Sequence, residues 1–446
     1  MPVSIDLATD TVADVPAPAV PWNWEQHDQP AFSPRRAPVA TAVSENEDRM
    51  RQDVVLGWFH RYPARFAAEV VAEMLAGVIA TAHRRVDTVL DPFCGTAATV
   101  CAARQLGLSA IGIELTTLGT QIGKLRIDPP RDPWKAAAYC ESLAAVPPAP
   151  TPDLAPELVE WLGADNACLL TAWKTELQTV DDHRLKRFAT LALSQSLRPS
   201  SRWLAGSVKV TADPRRTPVP LRFSLPRWAR QLARDCVAEH DAAGAPPKPP
   251  TIGPHSAVLC GDARTLPLPD ASIDAIVTSP PYFVTYDYFD VHRLTYLAFD
   301  WPMPRDTQIG AKYGHRGLDG PVSLPRPFEH WYAAEFGREN GFLGRALRAY
   351  VSDLRVHLAE ANRVLAPGGA VAYSLANTVR KGRVFDLTAG FGRLLAEAGF
   401  TDVHAVPRVQ GGRRILPAGR DTRTGRFSSN TQNAGVREYI VYARKR

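Results

Sequence analysis

Short apolar runs and amphipathic stretches alternate along the chain from about residue 58 onward. The apolar runs are bounded by Gly, Pro and Asp, a pattern typical of buried strands, and apolar positions at helical spacing predict the helices between them. The predicted strands lie at residues 86–90, 110–115, 257–263, 273–277 and 370–374, near residue 403, and at 438–442; the clearest helices lie at residues 67–75, 185–197, 346–364 and 385–398. This order predicts an α/β fold with a mostly parallel, doubly wound sheet that finishes in an antiparallel strand.

Two segments interrupt the alternation. Residues 1–50 are rich in Pro, Ala and acidic residues without any period, which predicts a disordered or loosely attached leader. Residues 128–254 have proline-rich edges and are too long for a simple connection, so we expect an inserted, largely helical subdomain. The main domain is then formed by residues 51–127 and 255–446.

Composition narrows the class of protein without identifying it. The 446 residues carry a net charge of +6, which permits a polyanionic partner without requiring one. No uninterrupted run of about 18 apolar residues is present, and the N-terminus does not resemble a secretion signal, so we expect a cytoplasmic protein without a membrane span. The six cysteines show no metal-ligand spacing, and we expect no metal site.

A second kind of signal lies where predicted strands end. The run at residues 273–277 leads into Thr278-Ser279-Pro280-Pro281-Tyr282, at the edge where open α/β sheets bind ligands. A serine hydroxyl and a proline carbonyl beside an aromatic ring could hold a planar group that carries an NH₂. A proline-rich surface turn is the alternative.

The strand at residues 86–90 is followed by a glycine-bearing turn and a helix. Such a turn forms the ligand cradle of a doubly wound fold, and Asp91 at its start could accept a ligand ammonium group. About 20 residues further on, Glu114 ends the next strand at the spacing where a carboxylate reaches a ribose diol. As an isolated acid it could instead be a solvated strand end.

The two turns together resemble the amino-group DNA methyltransferases, which form N4-methylcytosine or N6-methyladenine. Residues 279–282 match the family's Ser/Asn/Asp-Pro-Pro-Tyr/Phe motif, and residues 91–95 match its Asp-Pro-Phe-x-Gly-x-Gly motif, with Ala97 in place of the second glycine. The match extends to the family's His-x-Tyr-Pro-Ala-x-Phe element at His60, Tyr62, Pro63, Ala64 and Phe66.

The resemblance implies a Rossmann-like class I methyltransferase fold, S-adenosyl-L-methionine as cofactor, and methyl transfer to the exocyclic amine of a flipped base. With serine at its first position, the motif resembles that of the cytosine-N4 branch more than that of the adenine-N6 branch. The implied catalytic residues are Ser279, Pro280, Pro281 and Tyr282. The implied cofactor-binding residues are His60, Tyr62, Pro63, Asp91, Pro92, Phe93, Gly95, Thr96, Glu114 and Asp262, the last bonding the adenine amino group.

Double-stranded DNA is the partner that this resemblance implies, with a companion restriction endonuclease as a further partner. Residues 181–239 contain 12 Lys or Arg against 5 Asp or Glu with tryptophans interspersed, which favours a phosphate-binding surface over a merely solvated face once the resemblance is added. The candidate nucleic-acid-binding residues are Arg202, Lys209, Arg215, Arg216, Arg413 and Arg414. Adenine as the target, RNA as the substrate and a non-catalytic binding module on the same fold are the alternatives.

Overall fold

The computed structural model describes most of the chain. The described residues are 59–62, 66–205, 207, 210–242, 256–283, 287–310, 322–336, 342–380, 383–408, 419–420, 427–428 and 438–446. The leader predicted at residues 1–50 lies outside this part of the chain.

A sheet of seven strands runs through the main domain. Its spatial order is β3-β2-β1-β4-β5-β11-β8, with parallel pairing from β3 to β5 and antiparallel pairing of β11 with both β5 and β8. The strands of the chain are β1 (Thr88–Asp91), β2 (Ser109–Glu114), β3 (Ser256–Cys260), β4 (Ile273–Thr278), β5 (Leu365–Ala376), β6 (Thr378–Arg380), β7 (Arg383–Phe385), β8 (Phe400–Arg408), β9 (Gly419–Arg420), β10 (Phe427–Ser428) and β11 (Glu438–Lys445). This topology confirms the expected doubly wound α/β fold.

Helices cover both faces of the sheet and form the insertion. Those of the main domain are α1 (Ala68–Thr81), α2 (Ala98–Gln105) and α3 (Thr117–Ile127). The insertion contributes α4 (Pro133–Leu143), α5 (Pro156–Leu162), α6 (Ala164–Gln178), α7 (His183–Leu197) and α8 (Leu221–Ala242). After β4 follow α9 (Tyr288–Val291), α10 (Arg293–Ala298), a 3₁₀ turn (Arg305–Thr307), α11 (Arg326–Phe336), α12 (Phe342–Val364) and, after β7, α13 (Leu387–Glu397).

Alternation along the central strands divides the core into two clusters. Leu90 and Ile276 face α12 and α13, whereas Val89 and Ala275 face α1 and α2. A central strand that is apolar on both faces can be covered only by helices on both sides. This packing fixes where the strands end, and therefore where the site residues lie.

A third cluster joins the insertion to the main domain. Leu118, Ile122 and Leu125 of α3 pack with the helices of the insertion and with α9 and α10, which follow the Ser279 turn. An ion pair at 2.5 Å between Arg293 of α10 and Glu157 of α5 adds to this contact. The insertion is therefore continuous in packing with the segment that leaves the Ser279 turn.

Candidate active site

The predicted site residues meet at one edge of the sheet. Asp91, Glu114 and Thr278 are the last residues of β1, β2 and β4, and Asp262 lies two residues beyond β3. Because these four strands are adjacent and parallel, their carboxyl ends lie side by side. The turn after β1 and the turn after β4 are direct neighbours.

A buried hydrogen bond ties these two turns together. The Thr278 hydroxyl donates to Asp91 Oδ1 at 2.6 Å, and the Phe93 amide donates to the same oxygen at 3.1 Å. Burial raises the pKa of Asp91 to about 6, although both hydrogen bonds favour its charged form. Asp91 thus connects the start of one turn to the residue before Ser279.

Gly95 and Glu114 form the next part of the edge. Gly95 has a φ of +51°, in the left-handed region that favours glycine, and its amide donates to Glu114 Oε2 at 2.8 Å. Glu114 Oε1 accepts hydrogen bonds from the Thr116 amide at 2.8 Å and from the Tyr62 hydroxyl at 3.3 Å. Burial raises the pKa of Glu114, and these donors oppose the rise. The carboxylate is therefore positioned by protein groups on both of its oxygens.

Two residues of the segment before α1, Tyr62 and His60, contact different parts of the protein. The Tyr62 hydroxyl reaches Glu114, and its ring stacks on His292 with centroids 5.1 Å apart. His60 is bonded instead to Ser194 of α7, with 2.9 Å between Nε2 and Oγ. Tyr62 thus lies against the predicted cofactor site, whereas His60 joins this segment to the insertion. Pro63 lies outside the described residues.

The remaining predicted cofactor residues have structural contacts of their own. The Phe93 ring meets His357 edge-on at 4.6 Å, and the Thr96 carbonyl accepts a hydrogen bond from Arg126 at 2.6 Å. Asp262 is held by the guanidinium of Arg264, whose Nη2 lies 2.6 Å from Oδ2. Pro92 occupies the turn between Asp91 and Phe93. These contacts fix the shape of the edge.

Ala97 stands where the family motif has its second glycine. Its φ of 62° lies in the left-handed region, so the backbone adopts the conformation that a glycine would favour. The Ala97 methyl group is buried and points toward α3, since a Cβ placed on Gly123 would lie 3.1 Å from it. Gly123 therefore leaves room for the alanine side chain.

We expect Gly123→Ala to destabilise the protein by about 1–3 kcal/mol, the usual cost of overpacking. The added Cβ would lie 3.0 Å from Val258 and 3.1 Å from Ala97. Denaturant unfolding of Gly123→Ala, Ala97→Gly and the double variant measures the coupling between the two positions. A smaller cost of Gly123→Ala in the Ala97→Gly background is expected; strictly additive effects would contradict the contact.

The Ser279 turn is anchored by two hydrogen bonds. The Ser279 hydroxyl donates to the Ser374 carbonyl of β5 at 3.1 Å, and the buried Tyr350 hydroxyl donates to the Pro281 carbonyl at 2.9 Å. Pro280 is buried, while Ser279 and Tyr282 are partly exposed. Because its proton is directed to Ser374, the Ser279 oxygen can act as an acceptor toward an incoming group.

The predicted basic residues fall into three groups. Arg202 and Arg215 are exposed, so both can reach a phosphate. Arg216 is half-buried and donates to the Pro199 carbonyl at 3.1 Å. The positions of Lys209, Arg413 and Arg414 lie outside the described residues. The expectation of a basic surface with interspersed tryptophans is wrong for Trp203, because only 1% of it is exposed and it belongs to the insertion core.

Sequence reasoning missed three side chains that shape the site. Thr278 bonds Asp91, Thr116 bonds Glu114, and Tyr350 bonds the Pro281 carbonyl. Thr278 left a signal, because it is a polar residue at the end of an apolar run. The pairing of Tyr350 with Pro281 spans 69 residues and left no local signal.

No group of three or more His, Cys, Asp or Glu in the described part of the chain is arranged to hold a metal ion. Among the described helices, none combines the length and the apolar character needed to cross a bilayer.

Comparisons with solved structures give low similarity. A provisionally assigned DNA modification methylase from Thermus thermophilus is 19% identical, with 42% of this chain and 50% of that chain covered and a TM-score of 0.21. Geranyl diphosphate methyltransferase in complex with SAM is 10% identical, with 85% of each chain covered and a TM-score of 0.30. The rRNA methyltransferase AviRa from Streptomyces viridochromogenes is 12% identical, with 90% and 94% covered and a TM-score of 0.28. Likenesses of this size carry no conclusion about function.

Comparison of sequences is more informative. No curated protein matches this chain. A family model described as DNA methylase matches residues 34–117, a segment that includes the Asp91 to Gly95 turn and Glu114. Over that segment the chain matches the DNA methylase family, which confirms the family resemblance for residues 34–117.

Proposed function

We propose that this protein binds S-adenosylmethionine along the carboxyl edge of its sheet and transfers the methyl group to the exocyclic amine of a DNA base. The hydrogen bond between Thr278 and Asp91 carries this proposal, because it holds the proposed donor turn beside the proposed acceptor turn. The match of residues 34–117 to the DNA methylase family supports the assignment independently.

The donor groups of the cofactor suit the acceptors at this edge. Asp262, Glu114 and Asp91 follow one another along β3, β2 and β1, and can accept from the adenine amino group, the ribose hydroxyls and the ammonium group. From β3 to β4 the edge spans roughly 14 Å at the usual strand spacing. The cofactor carboxylate would lie at the N-terminus of α2, where helix amides are free. When the cofactor enters, a ribose hydroxyl would replace the Tyr62 hydroxyl as a hydrogen-bond donor to Glu114.

The reaction needs an amine whose lone pair is aimed at the donor. When bound, S-adenosylmethionine supplies an electrophilic methyl group on its sulfonium. Ser279 Oγ and the Pro280 carbonyl would accept hydrogen bonds from the two N–H groups of the amine. These bonds would hold the nitrogen toward that methyl group. The amine nitrogen would gain the methyl group that the sulfonium gives up as it becomes a thioether, and the surplus amine proton would pass to water. Catalysis then rests on positioning and electrostatics.

The insertion is our proposed target-recognition element. It carries the exposed Arg202 and Arg215, and it packs directly on α9 and α10, which leave the Ser279 turn. A flipped base would therefore enter between the catalytic turn and an element able to contact the flanking phosphates.

We propose cytosine N4 as the methylated atom, following the serine at the first motif position. DNA incubated with the protein and labelled S-adenosylmethionine should yield labelled N4-methylcytosine when its nucleosides are separated by mass spectrometry. Label in N6-methyladenine would replace the base assignment, and label in RNA alone would replace the substrate. DNA binding without any transfer would favour a non-catalytic module.

A further inference from the structure

Three arginines gather at the junction of the insertion and the segment before α1. The Arg61 amide is bonded to Gln195 Oε1 of α7 at 3.2 Å, and Arg198 follows three residues later at the end of the same helix. Arg216 is fixed by hydrogen bonds to the carbonyls of Pro199 and Trp203. Two segments distant in sequence are thus held against the end of α7.

The position of Arg198 is set by an aromatic contact. Its guanidinium carbon lies 4.3 Å from the centroid of the buried Trp203 ring, a cation–π geometry that fixes the plane of the group. Its Nη2 is buried and has no hydrogen-bond partner among the described residues. A buried guanidinium nitrogen without an acceptor is costly, so Arg198 is held in this position by the ring contact rather than by hydrogen bonds of Nη2.

The charges in this cluster are not compensated. In the described part of the chain, Arg61, Arg198 and Arg216 form no ion pair with a carboxylate, unlike Arg293 nearby, which pairs with Glu157. Burial, and then the charges of Arg61 and Arg216, lower the pKa of Arg198 to about 10. Like charges held together in a partly buried place repel one another unless an anion joins them.

The cluster adjoins the proposed cofactor site. Burial, with His60 and Arg198 nearby, lowers the pKa of His292, so its ring is neutral at neutral pH. That ring stacks on Tyr62, whose hydroxyl reaches Glu114. The stacked rings of His292 and Tyr62 therefore link the arginine cluster to Glu114 at the edge of the sheet.

We propose that Arg61, Arg198 and Arg216 form a binding site for a backbone phosphate of the DNA substrate. The inference rests on the proposed function and deepens it, because it names where the strand beside the flipped nucleotide is held. Guanidinium groups bind phosphate through paired, charge-assisted hydrogen bonds, which suits a partly buried cluster without carboxylates. The phosphate would offset the like charges that these three side chains hold together.

The test uses Arg198→Gln, Arg61→Gln and a matched control, Arg85→Gln. Arg85 pairs with Asp87 just before β1, at the opposite end of the sheet, and its replacement removes the same charge. The affinity of each protein for a short fluorescent DNA duplex is measured against salt concentration. Each cluster variant should bind roughly tenfold more weakly. The slope of the logarithm of the binding constant against the logarithm of salt concentration should be smaller by about one in these variants, while the control keeps the wild-type slope.

A second measurement separates this site from methyl transfer. Inorganic phosphate, compared with chloride at equal ionic strength, should raise the melting temperature of the wild type and of Arg85→Gln, but much less that of Arg198→Gln or Arg61→Gln. Unchanged salt slopes and equal phosphate effects in the cluster variants would overturn the site even if DNA is methylated. Variant-sensitive phosphate binding in a protein that methylates no DNA would leave the site standing and overturn the proposed function.

Discussion

Ser279→Ala should reduce methyl transfer to DNA by at least about 100-fold while leaving the affinity for S-adenosylmethionine within twofold. The substitution removes the acceptor that would orient the amine, and losing one such polar group from a transition state typically costs a factor of about 10²–10³. The bond to the Ser374 carbonyl is lost as well, at roughly 1 kcal/mol of stability. Single-turnover transfer of labelled methyl, beside calorimetric titration of the cofactor, measures both quantities.

Ser272→Ala is the matched control for this experiment. Ser272 donates to the Pro269 carbonyl at 2.7 Å in the turn before β4, so the same atoms are removed at the opposite end of the same strand. Its activity should stay near that of the wild type. Full activity in Ser279→Ala, or an equal loss in both variants, would exclude the proposed role of Ser279.

Asp91→Asn should weaken S-adenosylmethionine binding at least tenfold and yet increase the stability of the cofactor-free protein at pH 8. The amide keeps an oxygen for Thr278 and Phe93 but cannot pair with an ammonium group. Burial raises the pKa of Asp91 from 3.8 to about 6. The charged carboxylate therefore lowers the free energy of unfolding by about 3 kcal/mol at pH 8. A site residue that is costly in the folded state and needed for binding is a common exchange of stability for function.

The pH dependence follows from the direction of this shift. Since the folded-state pKa is raised, the contribution of Asp91 to stability is full below pH 3.8 and is lost as pH rises through about 6. Urea unfolding between pH 5 and 8 should show a loss in the wild type that is absent in Asp91→Asn. Cofactor affinity should change in the opposite sense, rising through about pH 6 as the carboxylate ionises. Parallel pH profiles for the two proteins would contradict the assignment.

The sequence predicted those parts of the structure that depend on local order. Apolar runs located the strands, and since parallel strands expose their carboxyl ends on one side, Asp91 and Ser279 could be expected at the same edge. The helix predicted at residues 346–364 begins four residues earlier, at Phe342, and ends at the same residue, Val364. Periodicity therefore located this helix and its end, but not its start.

Other parts depend on contacts between distant residues. The basic and aromatic composition of the insertion indicated a phosphate-binding surface, but could not show that Trp203 is buried beneath Arg198. Nor could the order of residues show that Glu114 has protein donors on both oxygens, one of them 52 residues away. Both properties arise from tertiary contacts, the first within the insertion and the second between the segment before α1 and the end of β2.

The bond between Thr278 and Asp91 has a thermodynamic consequence. An ammonium group bound at Asp91 favours the ionised form of this carboxyl. The ionised carboxylate accepts a stronger hydrogen bond from Thr278, the residue beside Ser279. Binding of the methyl donor at Asp91 and ordering of the Ser279 turn are then linked. Such linkage is reciprocal, so the cofactor raises the affinity for DNA by the same factor by which DNA raises the affinity for the cofactor. We therefore expect ternary-complex formation to be cooperative, with a coupling that Thr278→Val would reduce from both directions equally.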